Sequence, residues 1–363
     1  MNVVAGYPPN PDEEKADTSQ LWNDICPASN RRVNGVSPEL LYCFFLDQGH
    51  SICMSTRTAI PTEHQHRHIA LEHEENRALT IRLGCALSYL AEERSQILLL
   101  IQPAPSFDQS ILSDEITVGS GEALERFTDA HGNKVLRTVL VPGKNEFRHD
   151  ALLRVSIPNE RSAPPLDNSQ DCQLPFNIVR YTLPSRYCES DKLGGFASEQ
   201  FGCHQGMETV QKICDWTHHH LEYRYGSGDP TLSACEALGR GYGVCRDFAH
   251  VMVALCRALD IPARYVAGHM PLIGAAIPDS DIGIDFHAYV EVYVEGAWRV
   301  FDPRYNRPHL GRIKVAHGAD AVDAAFATYF GQVKPVKFEV WSYALHDGAP
   351  VEDNCPGISR ANP

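Results

Sequence analysis

Small or apolar residues at positions 245, 248, 249, 252, 253, 256 and 259 recur at the spacing of one helix face, and Asp260-Ile261-Pro262 closes the pattern. The run starts directly after Gly241-Tyr242-Gly243-Val244, whose glycines let the backbone turn sharply into a helix. Cys245 is therefore expected on the buried face of the first helical turn. Unpaired N–H groups and the positive end of the helix dipole stabilise a thiolate there, and the same N–H groups can receive an oxyanion. A lone cysteine in such a helix is more often core than chemistry, so the reading depends on what else the chain supplies.

The run over 285–303 supplies it. Aromatic and β-branched residues alternate on both sides of Glu295-Gly296, the pattern of a β-hairpin. Pairing Val294 with Ala297 sets Tyr289 opposite Asp302 and His287 opposite Arg304. His287 and Asp302 then become diagonal neighbours on one face, with Cβ atoms about 7 Å apart, within reach of an imidazole–carboxylate hydrogen bond. A slip of one residue would undo this. A thiol nucleophile needs a base, and the base needs a third group to hold its tautomer. Cys245, His287 and Asp302 are the candidate nucleophile, base and orienting acid.

With 363 residues the chain exceeds one small core. Residues 1–76 read as an irregular extension, with an apolar stretch at 40–46 and a polar tract holding His64, His66, His68 and His73. Short β-like runs follow at 79–90, 96–101, 112–117, 124–128, 135–141 and 151–157, separated by turn residues at 129–133 and 142–145. They suggest a small antiparallel β-sandwich or barrel over 77–157. A Pro-, Ser- and Asn-rich stretch makes 158–198 a linker. The core follows over 199–345, opening with an amphipathic helix marked by Val210, Ile213, Cys214, Thr217 and Leu221, and 346–363 is a tail.

The formal charge of −14 and pI of about 5.6 argue against nucleic acid, which needs a clustered basic face. No apolar run is long enough for a membrane span. The first residues show neither a basic region nor an apolar stretch of the secretory kind, so a cytoplasmic setting is expected. The 12 cysteines form no tight framework or CxxC pair, and several, Cys85 and Cys256 among them, sit in apolar segments. Reduced thiols are expected.

The strings GVCRDFAHVMVALCRALDIPARYVAGH, DFHAYVEVYVEGAWRVFDPRYN and HLGRIKVAHGADAVDAAF resemble the core of bacterial-type transglutaminase-like cysteine enzymes, as do LPSRYCESDKL and ICDWTHHHLEYRYG upstream. The resemblance covers roughly residues 79–345. It implies an α+β fold, a papain-like transglutaminase core in which the helix carrying Cys245 packs on an antiparallel sheet, preceded by the β domain. It also implies the order Cys245, His287, Asp302 for the triad, and supporting places around the nucleophile for Arg246, Asp247 and His250. Where the family commonly has Trp two residues after the histidine, this chain has Tyr289, which bears on substrate choice.

The expected chemistry is acyl transfer through a thioester on Cys245, with no cofactor and no metal, on a peptide, protein or small acyl or amide substrate. Hydrolysis of a peptide, isopeptide or other amide bond leads, because an amine acceptor needs a built site and water does not. Transfer to an amine or cyclisation, and a non-catalytic binding protein on the same scaffold, are the alternatives. Trp216, Tyr223 and Tyr225 could contribute to the acyl site or a second oxyanion donor, with core packing expected for at least two of them. Arg304 is either an anion contact or a solvated strand-end arginine. Consecutive helical histidines at 218–220 cannot converge on one ion.

Overall fold

Ile81, Leu83, Cys85, Leu87, Tyr89 and Ala91 alternate along strand β1 (Ala78–Ala91) and are all nearly inaccessible, the period-two burial of a strand with one face in a core. The computed structural model describes residues 78–105, 109–119, 122–156, 174–203, 206–271, 286–307, 309, 311–346 and 349–350. The expected extension over 1–76, with its apolar stretch and His64, His66, His68 and His73, lies outside the described residues, as do 158–173 and most of the tail.

Strands β2 (Ser95–Leu99), β3 (Gln109–Val118), β4 (Glu125–Thr128) and β5 (Lys134–Leu140) follow the expected runs to within a few residues, whereas β6 (Gly143–Ser156) begins well before the run expected at 151–157 and takes in residues 143–145, which were expected as a turn. They divide between two antiparallel sheets that share one core. Leu87, Tyr89 and Phe147 of β1 and β6 join Ile97, Leu99, Leu136 and Leu140 of β2 and β5.

The middle of the chain carries α1 (Phe176–Val179), a 3-10 turn (Arg180–Thr182), α2 (Ser190–Phe201) and α3 (Gly206–His220). Then come β7 (Glu222–Tyr223), α4 (Ala234–Arg240), β8 (Tyr242–Gly243) and α5 (Cys245–Ala258). Strands β9 (Ala263–His269), β10 (Phe286–Val294), β11 (Ala297–Phe301) and β12 (Ile313–Gly318) form an antiparallel sheet in the order β11-β10-β9-β12. After α6 (Ala321–Ala324) come β13 (Ala327–Tyr329), β14 (Val333–His346) and β15 (Ala349–Pro350).

Those last strands return to the first sheets. Pairing along β14 runs from Thr80↔Leu345 to Ala91↔Val333, and β13 pairs with β2. The sheets of the span 77–157 are thus completed by strands from the span expected to belong to the core. The reason is edge protection: without β14, the long strand β1 would present an unpaired edge. The stretch expected as a linker to residue 198 is, from residue 174, helical and packed, with Tyr181, Leu193 and Ala197 buried. Proline and serine there mark breaks between short helices rather than lack of packing.

Helix α5 differs from its one-faced pattern, because every residue from Cys245 to Arg257 is buried. Its two arginines are satisfied inside instead of facing water. Arg257 donates to the carbonyls of Ala263 (2.9 Å), Leu183 (3.1 Å) and Ala319 (2.6 Å) and to Ser185 Oγ (3.1 Å). A central helix needs such partners, since an unpaired buried guanidinium is strongly destabilising.

Apolar packing and side-chain hydrogen bonds join the sheets at either end of the chain to the core. Ile313 of β12 packs with Ile81, Leu83, Ala151, Leu153 and Val155. The side chain of Asn133 donates to the His317 carbonyl (2.8 Å) and accepts from its N–H (2.9 Å). Among the described residues no helix is long and apolar enough to cross a membrane.

Candidate active site

The approach to Cys245 is shaped by two glycines. Gly241 ends α4 with φ +74°, a left-handed conformation that favours glycine. At Gly243 an added Cβ would lie 2.5 Å from an Asp247 carboxylate oxygen and 2.7 Å from its Cβ. That space lets Asp247 curl back and accept the Val244 N–H at 2.9 Å, which pins the first turn of α5. Arg246 completes the lock through Asp247 Oδ1 (3.0 Å) and the carbonyls of Asp229 and Leu232. Burial raises the Asp247 carboxyl, with Arg246 and the Val244 N–H opposing it.

The hairpin register is the expected one, running from Val294↔Ala297 to Val290↔Phe301. Past its end, His287 Nε2 lies 2.8 Å from Asp302 Oδ2. The His287 side chain is also hydrogen-bonded to Cys245. The structure therefore brings Cys245, His287 and Asp302 together, all buried, from the start of α5, strand β10 and the end of β11.

Asp302 is held from several sides. Its Oδ2 also accepts from Arg312 at 2.7 Å, and its Oδ1 accepts the N–H groups of Arg304 (3.1 Å) and Tyr305 (3.2 Å). Burial pushes the Asp302 carboxyl up, but the His287 and Arg312 charges and their hydrogen bonds hold it well below the usual carboxylate range. For His287, burial pushes the imidazole down. The Asp302 charge and the hydrogen bonds to Asp302 and Cys245 outweigh this and raise it to about 9. An imidazole so placed favours its charged form, beside the Cys245 sulfur.

Tyr289 is buried, its ring 6.4 Å from that of His287 at 18° and 5.4 Å from the Arg312 guanidinium carbon. It roofs the charged cluster where the family commonly carries Trp. Tyr305 lies 5.4 Å from His287, and Arg304 sits over the Tyr223 ring at 3.6 Å. Beside His287 lies a small, largely apolar pocket of about 40 Å³, lined by Ala267, Phe286, Ala288, Ala324 and Phe326.

Other expected residues take different places. His250 is fully buried, its Nε2 accepting the Ala321 N–H (3.1 Å) and its ring stacked on Tyr187 at 5.1 Å, so it seats α5 in the fold. Burial and the charges of Arg246 and Arg257 hold it well below the usual histidine range. Tyr225 is 66% exposed at the surface. Trp216 stacks on His220 at 3.7 Å and packs among Phe196 and Phe201. His218 and His219 bond to the carbonyls of Pro303 and Asp215, so the three histidines diverge.

Arg312 and Tyr305 are the residues that sequence reasoning missed. Both lie inside strings that carry the family resemblance, RYN and HLGRIKV, and that was the only signal for them. Elsewhere the described cysteines are free, and burial pushes the thiols of Cys85, Cys188 and Cys256 up to about 12. Such thiols are inert at neutral pH.

Fold and site together define a class: cysteine-dependent enzymes built on a papain-like α+β core. The profile of the Transglutaminase-like superfamily matches residues 196–303. A candidate cysteine protease from Cytophaga hutchinsonii, known from its crystal structure, is 30% identical with a TM-score of 0.64, over 76% of this chain and 93% of that one. The chain belongs to the transglutaminase-like superfamily. An uncharacterised protein of Mycobacterium leprae is 29% identical over 123 residues, 34% of this chain and 44% of its own length. One of Mycobacterium tuberculosis is 30% identical over 124 residues, 32% of this chain and 40% of its own length. The chain spans less than half the length of these curated relatives.

Proposed function

We propose that the protein is a thiol-dependent amide hydrolase, acting on a peptide, an isopeptide or another amide bond. The observation that carries this reading is the bonded series from Cys245 through His287 to Asp302, with Nε2 and Oδ2 2.8 Å apart. Cys245 Sγ attacks the acyl carbon, and the developing oxyanion is received by N–H groups at the start of α5. The C–N bond breaks as the amine leaves with the proton from His287, and a thioester on Cys245 remains. Water then attacks while His287 takes its proton. The S–C bond breaks and the carboxylic acid departs, leaving the thiolate beside the protonated imidazole, as at the start. Asp302 fixes the ring through both steps, and Arg312 fixes Asp302. The apolar pocket beside His287 is suited to an aliphatic part of the substrate.

Limiting iodoacetamide, with peptide mapping of the labelled cysteines, tests the reading on wild type and on His287→Ala. The expected result is selective labelling of Cys245 that persists below neutral pH and weakens in the variant. Labelling of Cys245 no faster than of exposed Cys203 would sink it.

A further inference from the structure

The turn after Asp302 carries Arg304, whose guanidinium carbon is 3.6 Å from the Tyr223 ring centroid and 4.9 Å from that of Tyr305. Tyr223 pairs with Gly243 on the strand that leads into Cys245, and its ring is 6.5 Å from that of Phe248. Tyr305 stands against His287. The guanidinium is thus held between two rings, one beside the approach to the nucleophile and one beside the imidazole.

Its pairing differs from that of three other arginines in and around the site. Arg246 is paired with Asp247, Arg264 with Glu291 and Arg312 with Asp302. Arg304 forms no ion pair among the described residues, in a chain with 46 acidic and 32 basic side chains. It is half-buried, and its Nε is buried without a hydrogen-bond partner. A solvated strand-end arginine would keep that nitrogen in water. Aromatic faces orient a guanidinium without neutralising it, and its planar fork fits a carboxylate through two parallel hydrogen bonds. Asp302 cannot serve as that carboxylate, since both its oxygens are occupied.

We infer that Arg304 is a specificity-determining residue that receives a substrate carboxylate, so that the amide cleaved at Cys245 belongs to an anionic, carboxylate-bearing substrate. This rests on Cys245 being the nucleophile. The test needs no substrate: the rate of Cys245 modification by maleimidopropionic acid is compared with that by the uncharged, similarly sized N-propylmaleimide.

Wild type at low salt is expected to favour the acid by about 5-fold or more, an advantage that salt erodes because it is electrostatic. Arg304→Gln should slow the acid alone, bringing the ratio towards one, and Arg304→Lys should restore part of it. The unchanged rate with N-propylmaleimide separates this from a structural loss. A ratio unaltered in Arg304→Gln would overturn the inference, because the attraction would then come from His287. If Arg304→Gln does not fold, the ratio in Arg304→Lys decides, and equality with wild type at all salt concentrations overturns it. Cys245 inert to both reagents would defeat the hydrolase reading, and this inference with it.

Discussion

Two carboxylates of one hairpin, one within a strand and one just past its end, are buried with two cations each, and they differ in what those cations can do. Glu291 of β10 is bound by Arg264 at 2.6 Å and by Lys314 at 2.8 Å. Asp302, just beyond β11, is bound by Arg312 at 2.7 Å and by His287 at 2.8 Å. Burial raises both carboxyls, and in both the cations overcome it and hold the group well below its ordinary range. The difference lies in the partners. Those of Glu291 are a guanidinium and an ammonium, whereas one partner of Asp302 is an imidazole that is hydrogen-bonded to a thiol group. The same electrostatics therefore gives a fixed brace at one place and, on the function proposed above, a proton-handling site at the other.

Removing the brace should have the largest effect on stability. Glu291→Gln leaves Arg264 and Lys314 facing a neutral amide and should cost about 3 kcal/mol or more, read by denaturant unfolding. Cys245 labelling per folded molecule should not change. If labelling falls as well, the two places are not independent. Asp302→Asn should instead lower amide turnover by about 100-fold or more, because the ring loses its orienting acceptor and its charge stabilisation. Arg312→Met leaves Asp302 with His287 and the two N–H groups, so a smaller loss of about 10-fold is expected in the same assay, the worth of one charged hydrogen bond.

The pH dependence of stability separates the two places further. Glu291 has a lowered carboxyl, so its contribution is present above its ordinary value of 4.5 and is lost as pH falls. His287 is raised from 6.5 to about 9, so its contribution is full below 6.5 and is lost as pH rises through 9. Unfolding measured across this range should show an alkaline decline in wild type and Glu291→Gln, with a flatter limb in Asp302→Asn. Equal alkaline limbs in all three would erase the distinction.

What the sequence disclosed follows the distance over which its information acts. The hairpin register was legible because Glu295-Gly296 and the alternation beside it are local, and the register alone brought His287 to Asp302. The start of α5 was legible for the same reason. The pairing of Thr80 with Leu345 was not, because no local pattern says which remote strand will cover an edge. The burial of Arg246, His250 and Arg257 was hidden too, since a polar residue looks solvent-facing until its tertiary partners are known. Arg312 reaches Asp302 from the start of another strand, so only family resemblance pointed to its segment.

Everything proposed for the site turns on Asp302 keeping His287 charged beside Cys245. Following the ring nitrogens of His287 by NMR against pH, in protein labelled at histidine, tests it most directly. Wild type should titrate near 9, and Asp302→Asn should titrate below 6.5, where burial acts without the carboxylate to oppose it. A wild-type midpoint at or below 6.5, unchanged in Asp302→Asn, would contradict it.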